Sequence, residues 1–258
     1  MNQTIDISLW GFIAGFLLLL IPVYFLYYFR TGLVKATLIS ASRMTIQLFL
    51  VGLYLEYLFK LNLWWVNVLW VLVMVMVASY TILKRTKLPL KQLFTSIAIS
   101  LLFSITIIDT YFMGLVVRLN HLFEARYFIP VSGMLLGNML TANVLALNSF
   151  FGSLEREKQY YYYMLGNGAS RSEALAPFIR EAITKSFNPT IASMAVMGLI
   201  SLPGTMTGQI LGGSNPNTAI KYQIMLMITI FASSLIAVLF SMWLCRKQAF
   251  DEYGLKKF

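Results

Sequence analysis

Long apolar runs, separated by short charged intervals, dominate this chain. Seven can be marked out. Residues 8–28 carry no charge. Residues 44–59 hold Glu56. Residues 61–83 are uncharged and open near the pair Trp64-Trp65. Residues 92–117 are interrupted by Asp109, and residues 127–154 are again uncharged. The sixth run lies between Lys185 and Lys221, and the seventh covers residues 222–245. A helix needs roughly 20 apolar residues to cross a bilayer core of about 30 Å. The pattern therefore predicts an all-α, polytopic integral membrane protein with about seven transmembrane helices. The sixth run is too long for one simple span and contains Pro203-Gly204, Gly212-Gly213 and Asn215-Pro216. It predicts a helix over 189–202, a break at Pro203-Gly204, and a short continuation into a polar turn. Proline removes a backbone donor, so such a break belongs where protein or a cavity satisfies the freed carbonyl.

Charge orients this map. Of the 20 lysines and arginines, all but Lys60, Arg118, Arg126 and Lys221 fall in the tail or in the linkers after the first, third and fifth runs. Cytoplasmic loops carry the excess of basic residues. The expectation is an N-terminus outside, a C-terminus in the cytoplasm and an odd number of spans, in the plasma membrane (the inner membrane of a bacterium). Tyr24, Tyr27, Tyr28 and Arg30 form an interfacial anchor of the usual kind. No internal repeat or soluble domain interrupts residues 1–258, which read as one transmembrane domain with a cytoplasmic loop at about 155–186.

Composition agrees. Hydrophobic residues make up 59% of the chain and charged residues 12%, about half the roughly 25% charged content of soluble domains. The net charge of +10 sits in the loops, which turns a nucleic-acid reading into one of membrane topology. The single cysteine, Cys245, excludes a disulfide framework and reads as an inert thiol or a lipidation site. Asp6, with no basic residue before the first run, argues against a cleaved signal peptide. No Gly-x-x-x-x-Gly-Lys-Ser/Thr loop, Gly-x-Ser-x-Gly elbow or zinc-ligand spacing occurs. The expectation is a protein that is not an enzyme and binds no cofactor itself, with ATP and Mg on a partner subunit if transport is ATP-driven.

The loop at 155–186 is internally organised. Glu155-Arg156-Glu157-Lys158 extends the fifth helix into water, and Tyr160 to Tyr163 give an amphipathic surface. Leu165-Gly166-Asn167-Gly168-Ala169-Ser170 reads as a turn, because Gly and Asn reach positive φ cheaply. Ser170 and Glu173 make a capping box that starts a new helix. Its apolar side holds Ala174, Leu175, Phe178, Ile179, Ala182 and Ile183, leaving Arg171, Arg180, Glu181 and Lys185 for water. Two readings stand side by side: a knob that docks a soluble partner, and an ordinary amphipathic linker at the interface.

The stretch from Leu165 to Ile183, with its Gly168-Ala169-Ser170 turn, resembles the cytoplasmic coupling loop of ABC permeases. It departs from that pattern in its tyrosine lead-in, its extra Gly166-Asn167 and its Ile179-Arg180-Glu181-Ala182-Ile183 ending. A wider resemblance rests on three stretches. Ile129-Pro130-Val131-Ser132-Gly133-Met134-Leu135-Leu136-Gly137-Asn138 is similar to a signature of the FetB-type ABC transporter permeases. So are Gly198 to Gly208, through Pro203-Gly204, and Ala219 to Ile224. The resemblance implies a permease subunit that pairs with itself as a homodimer and binds a cognate ATPase through Leu165, Gly166, Gly168, Ala169, Ser170, Arg171 and Glu173. It also implies metal export, since bacterial members are associated with iron export and plant relatives with aluminium tolerance. Lipid is the remaining partner, and nucleic acid is not expected.

Candidate path residues are Asp109, Met134, Asn138, Pro203 and Met206. An ionisable group within a span is costly unless paired or facing water, so Asp109 reads as a path residue, a paired structural carboxylate or a cavity-edge group. Glu56 lies nearer the outer interface. Methionine in apolar helices is commonly core filling. With one histidine, His121, and no carboxylate cluster, a fully coordinated metal cage is not expected, and the metal ligands stay unassigned. Gly133 and Gly137, and Gly204 and Gly208, have the small-xxx-small spacing of close helix packing. Pro203-Gly204 also reads as a hinge for alternating access. Two alternatives remain open: an ABC permease for a non-metal substrate, and an ATP-independent secondary transporter.

Overall fold

The computed structural model describes residues 8–251 and Leu255. Asp6 lies outside them. Every regular element among the described residues is helical. Among the described residues six helical spans are long and apolar enough to cross a membrane, so the chain is a multi-pass, all-α membrane protein.

The first span, Leu9–Tyr28, consists of α1 (Leu9–Leu17) and α2 (Leu20–Tyr28). The interruption has a simple cause. Pro22 offers no N–H to the carbonyl of Leu18, and its ring crowds that carbonyl. The second span, α3 (Val34–Leu61), begins ten residues before the apolar run and includes Lys35 and Arg43. It is followed by α4 (Trp64–Thr86) and α5 (Leu90–Tyr111), which closes in a π-helical turn, Phe112–Val116. Next come α6 (Ala125–Arg156), α7 (Lys158–Gly166), α8 (Arg171–Val196), α9 (Gly204–Leu211) and α10 (Pro216–Ala249).

The sixth apolar run departs from expectation. No helix starts near Pro189 and runs to Leu202. Instead α8 begins at the capping box in the loop and continues unbroken through Lys185 and Pro189 to Val196. The break lies at 197–203, before Pro203-Gly204. Gly198 adopts φ +85° there, and its N–H donates to the carbonyl of Ser201 at 2.9 Å. Pro203 is the N-cap of α9, a place where a missing N–H costs nothing. Leu199 and Ile200 stand 90% and 83% exposed at the tip of the break.

A body of α4, α5, α6, α8 and α10 forms the core. In lipid no hydrophobic drive separates helix from tail, so packing and interhelical hydrogen bonds hold helices together. The buried face of α10 is built for this. Ser233, Ala237, Ser241, Cys245 and Ala249 recur every four residues and all are fully buried. Ser96, Ser100 and Ser104 do the same on α5. Small side chains let the backbones approach, and hydroxyls then bond across the seam. Ser104 donates to the Ser233 carbonyl at 2.7 Å, and Ser241 donates to the side-chain oxygen of Asn143 on α6. Cys245 is sealed in this seam, away from any modifying enzyme.

The glycines behave differently. Within this chain Gly137, Gly204 and Gly208 face no neighbouring atom. A side chain at Gly133 would meet the Met74 methyl at 3.0 Å. The α1–α3 unit touches the body chiefly through the far end of α3, where Leu58 packs beside Ala125 and Ile129 and Tyr54 lies against Trp70.

Replacing Ala237 with Leu overfills the seam and is expected to cost about 1–3 kcal/mol. Leu239→Ala, on the exposed side of the same helix, should stay within about 0.5 kcal/mol of wild type. Thermal unfolding of the two variants in lipid nanodiscs checks the contrast.

Candidate functional site

Two features at opposite ends of the body carry the chemistry. The first is the α7–α8 hairpin. α6 stops at Arg156, the chain bends at Glu157, and α7 follows at once. Gly168 closes the turn at φ +87°, a conformation that a residue with Cβ reaches only with strain. Its N–H donates to the Leu165 carbonyl at 3.0 Å, and the Ala169 N–H donates to Met164 at 3.1 Å. The Asn167 side-chain amide donates to the Tyr163 carbonyl at 2.7 Å. These bonds satisfy the last carbonyls of α7.

The capping box is complete. The Glu173 N–H reaches the Ser170 hydroxyl, and the Ser170 N–H donates to the Glu173 carboxylate at 2.8 Å. The Ser170 hydroxyl adds a 2.7 Å bond to the same carboxylate. Bonds from Ser170 hold the Glu173 carboxyl below its usual range. The hairpin rests on Tyr161, Ala174, Leu175, Phe178 and Ala182, all buried, with Ile179 and Ile183 packed beside them. Burial pushes the Tyr161 phenol up, an effect that the nearby Arg171 guanidinium opposes. Gly166, Asn167 and Gly168 are exposed at the tip, with Arg171 at the first position of α8 beside them. The hairpin thus presents a preformed tip over an apolar base.

The second feature is a vestibule of about 590 Å³ between the π-helical turn, α6, α9 and α10. Its polar lining comes from Arg126 and Tyr127 on α6, Thr205 and Gln209 on α9, and Thr218 and Tyr222 on α10. Pro130 also lines it and, lacking an N–H, leaves the Arg126 carbonyl without its helical donor. The broken segment is tied to α10 here. Thr205 donates to the Gln223 side-chain oxygen at 2.5 Å, and the Gln223 amide nitrogen lies 4.0 Å from the Met197 sulfur. Gln223 therefore bridges both sides of the break. It stands within the third signature, but only its place as a buried amide in an apolar helix marked it out.

The candidate path residues do not converge. Met134 lines the vestibule. Asp109 lines a separate, apolar chamber of about 300 Å³ between α4, α5 and the start of α6, together with Thr106 and Thr110. One Asp109 oxygen accepts from the Ser132 hydroxyl at 2.5 Å; the other is buried without a hydrogen-bond partner. Only Met113 lines both spaces. Asn138 donates to the Met134 carbonyl of its own helix at 2.8 Å, on an exposed face. Pro203 caps α9, and Met206, half-buried, is outside the vestibule lining. Among the described residues no three His, Cys, Asp or Glu side chains come together as a metal cluster.

The Glu173 bonds give a pH signature. A carboxyl held low in the folded state stabilises the fold fully above its unfolded value, near 4.3, and that contribution is lost as pH falls through the folded value. Amide exchange in the first turn of α8 should therefore be flat from neutral pH to about 5 after correction for intrinsic rates, then rise in acid. Glu173→Gln should remove this acid step.

The family model for UPF0014, described as an uncharacterised protein family, matches residues 9–250. The chain is 29% identical over 207 residues to the UPF0014 membrane protein YjkA of Bacillus subtilis, covering 80% of this chain and 81% of that protein. It is 33% identical over 174 residues to Protein ALUMINUM SENSITIVE 3 of Arabidopsis thaliana, covering 67% of this chain and 62% of the plant protein. It is 33% identical over 123 residues to the probable iron export permease protein FetB of Escherichia coli, covering 48% of each. No solved structure matches. With its family match spanning nearly the whole chain and its six membrane-length helices, the protein belongs to UPF0014, a family of multi-pass membrane proteins.

Proposed function

We propose that this chain is the membrane-spanning permease subunit of an ABC transporter, working as a pair of copies with ATP and Mg held on a separate ATPase subunit. The observation that carries this reading is the α7–α8 hairpin. A turn with three exposed residues, locked by a capping box and seated on a buried aromatic base, is the preorganised form a docking knob needs. An interfacial linker needs no such rigidity. Under this reading Leu165, Gly166, Gly168, Ala169, Ser170, Arg171 and Glu173 form or hold the contact with the ATPase. The basic end of the bundle then faces the cytoplasm by the positive-inside rule. α8 and α9 together make the sixth crossing in chain order, which brings the number of crossings to seven, with its break in the half of the membrane nearer the vestibule.

The vestibule is the proposed path on the outer side, and the break at 197–203 is the hinge that opens or closes it. Irregular backbone at membrane depth belongs beside a cavity, and Gln223 is placed to register its movement. The name of the Escherichia coli relative, a probable iron export permease, supports a metal cargo leaving the cell. One observation favours the second reading, a non-metal substrate. The vestibule lining includes Arg126 and no carboxylate, a setting that suits an anionic or neutral molecule better than a bare cation. The third reading, transport without an ATPase, is separated by flux in liposomes of the chain alone.

Gly166 is the clean position for testing docking. It has ordinary φ and nothing within 4 Å of a built Cβ, so Gly166→Arg should fold normally. The expected result is wild-type melting behaviour with loss of ATPase co-purification and of ATP-driven flux. A Gly166→Arg variant that assembles and transports as wild type refutes the docking role. Arg126→Gln separates the cargo readings. If the cargo is a metal cation, removing the charge should leave or raise metal-stimulated ATP hydrolysis in the assembled complex. If the cargo is anionic, it should lower stimulation by that cargo.

A further inference from the structure

α10 is the longest helix among the described residues, 34 residues or about 51 Å, and its only proline is at the first position. At one end Thr218, Tyr222 and Leu226 wall the vestibule. At the other, the chain leaves the helix at Phe250, whose backbone is extended at φ −120° and ψ 147°. Phe250 turns back beneath the α7–α8 hairpin and is 2% exposed. Its ring centroid is 5.9 Å from that of Tyr161, which in turn is 6.4 Å from Phe178 on α8. One residue on, the Asp251 carbonyl accepts from the Arg171 guanidinium at the first position of α8. Asp251 also pairs with Leu255: its carboxylate accepts from the Leu255 N–H at 2.6 Å, and its own N–H donates to the Leu255 carbonyl at 2.9 Å.

The hairpin is therefore gripped by the end of α10 as well as by the helices it interrupts. The two connections from hairpin to vestibule differ in stiffness. α8 carries Pro177 and Pro189 and ends in the break at 197–203. α10 runs without a break, and its small-residue face is locked to α5 and α6. If the hairpin is displaced, the movement should therefore pass along α10 as a rigid body, whereas along α8 it should dissipate at the break.

We propose that the segment beginning at Phe250 is a latch that fixes the hairpin to α10, and that this latch makes α10 the rod by which motion at the docking tip reaches the vestibule. Phe250 is a positioning residue that acts through Tyr161 and Phe178 and touches no substrate. The transmission role rests on the ATPase-docking reading above; the latch itself does not.

The test has two arms with Phe250→Ala and the conservative Phe250→Leu, both in the full chain in lipid nanodiscs. In the first, hydrogen exchange is followed on the chain alone. Phe250→Ala should raise exchange over residues 160–173 on the order of tenfold, leaving α4, α5 and α6 unchanged, and Phe250→Leu should largely restore protection. Unchanged exchange in Phe250→Ala overturns the latch. In the second arm the ATPase that co-purifies with the wild-type chain is assembled with each variant. ATP hydrolysis should persist in Phe250→Ala while flux per ATP falls several-fold, with recovery in Phe250→Leu. Flux per ATP equal to wild type, despite a loosened hairpin, overturns the transmission role. Capture of no ATPase by the wild-type chain defeats the docking reading and the transmission role with it, while the exchange arm still decides the latch.

Discussion

Hydrocarbon takes away both of the resources on which a water-soluble fold draws. It offers no hydrogen-bond partner to a stray polar group, and it gives apolar helices no reason to leave it. The body of this protein answers with one device repeated along one helix. Ser233, Ala237, Ser241, Cys245 and Ala249 form a face with no bulk, so neighbouring backbones come close enough for dispersion contacts to accumulate. The serines on that face then bond to the Ser104 side of α5 and to Asn143 of α6. α5 and α6 take their places around α10, α8 packs on α6, and both functional features hang from this arrangement.

The same constraint explains where irregular backbone is found. The π-helical turn at Phe112–Val116, the proline at 130 and the break at 197–203 all border the vestibule or tie directly into it. Irregular backbone is tolerable where it borders a cavity, and there the Thr205 and Gln223 side chains bond to each other. By contrast Asp109 sits in an apolar chamber with Ser132 as the partner of one oxygen. It is thus a buried member of the α5–α6 contact, set apart from the polar lining by Met113.

Much of this was legible in the sequence where the signal is local. The apolar runs located the membrane helices, and the spacing of Ser170 and Glu173 marked the start of α8 and its buried face down to Ile183. Errors arose where a local signal had two meanings. Pro203 reads as a helix breaker, yet as an N-cap it begins a helix; the unwinding belongs to Gly198, which looked like any other glycine. Glu181 and Lys185 read as the water-facing side of a helix confined to the loop, but at a four-residue spacing they pair at 2.5 Å along a helix that continues to Val196. The seam was written plainly as serines four apart on α5 and small residues four apart on α10. Attention to glycine pairs passed over it, although a small hydroxyl residue serves close packing equally well and adds a bond. Contacts such as Asp109 with Ser132, or Phe250 with Tyr161, join residues far apart in the chain, and no pattern within one segment reveals them.

The transport role proposed above calls for parts that yield and parts that do not, and the sequence distributes these unequally between two neighbouring helices. α8 holds two internal prolines and ends where Gly198 turns the chain at positive φ. α10 contains no internal proline or glycine and buries its small face along the body. Both reach from the hairpin end to the vestibule end, and Gln223 links them across the break through Met197 and Thr205. A tilt of the rigid member therefore changes the separation of the two vestibule walls most where the compliant member gives way. Lengthening α8 into a straight helix would abolish that difference, since both walls would then move together and the cavity would keep its shape. On the proposed reading, the break is accordingly the feature that would let a movement of the whole helix α10 become an opening of the vestibule.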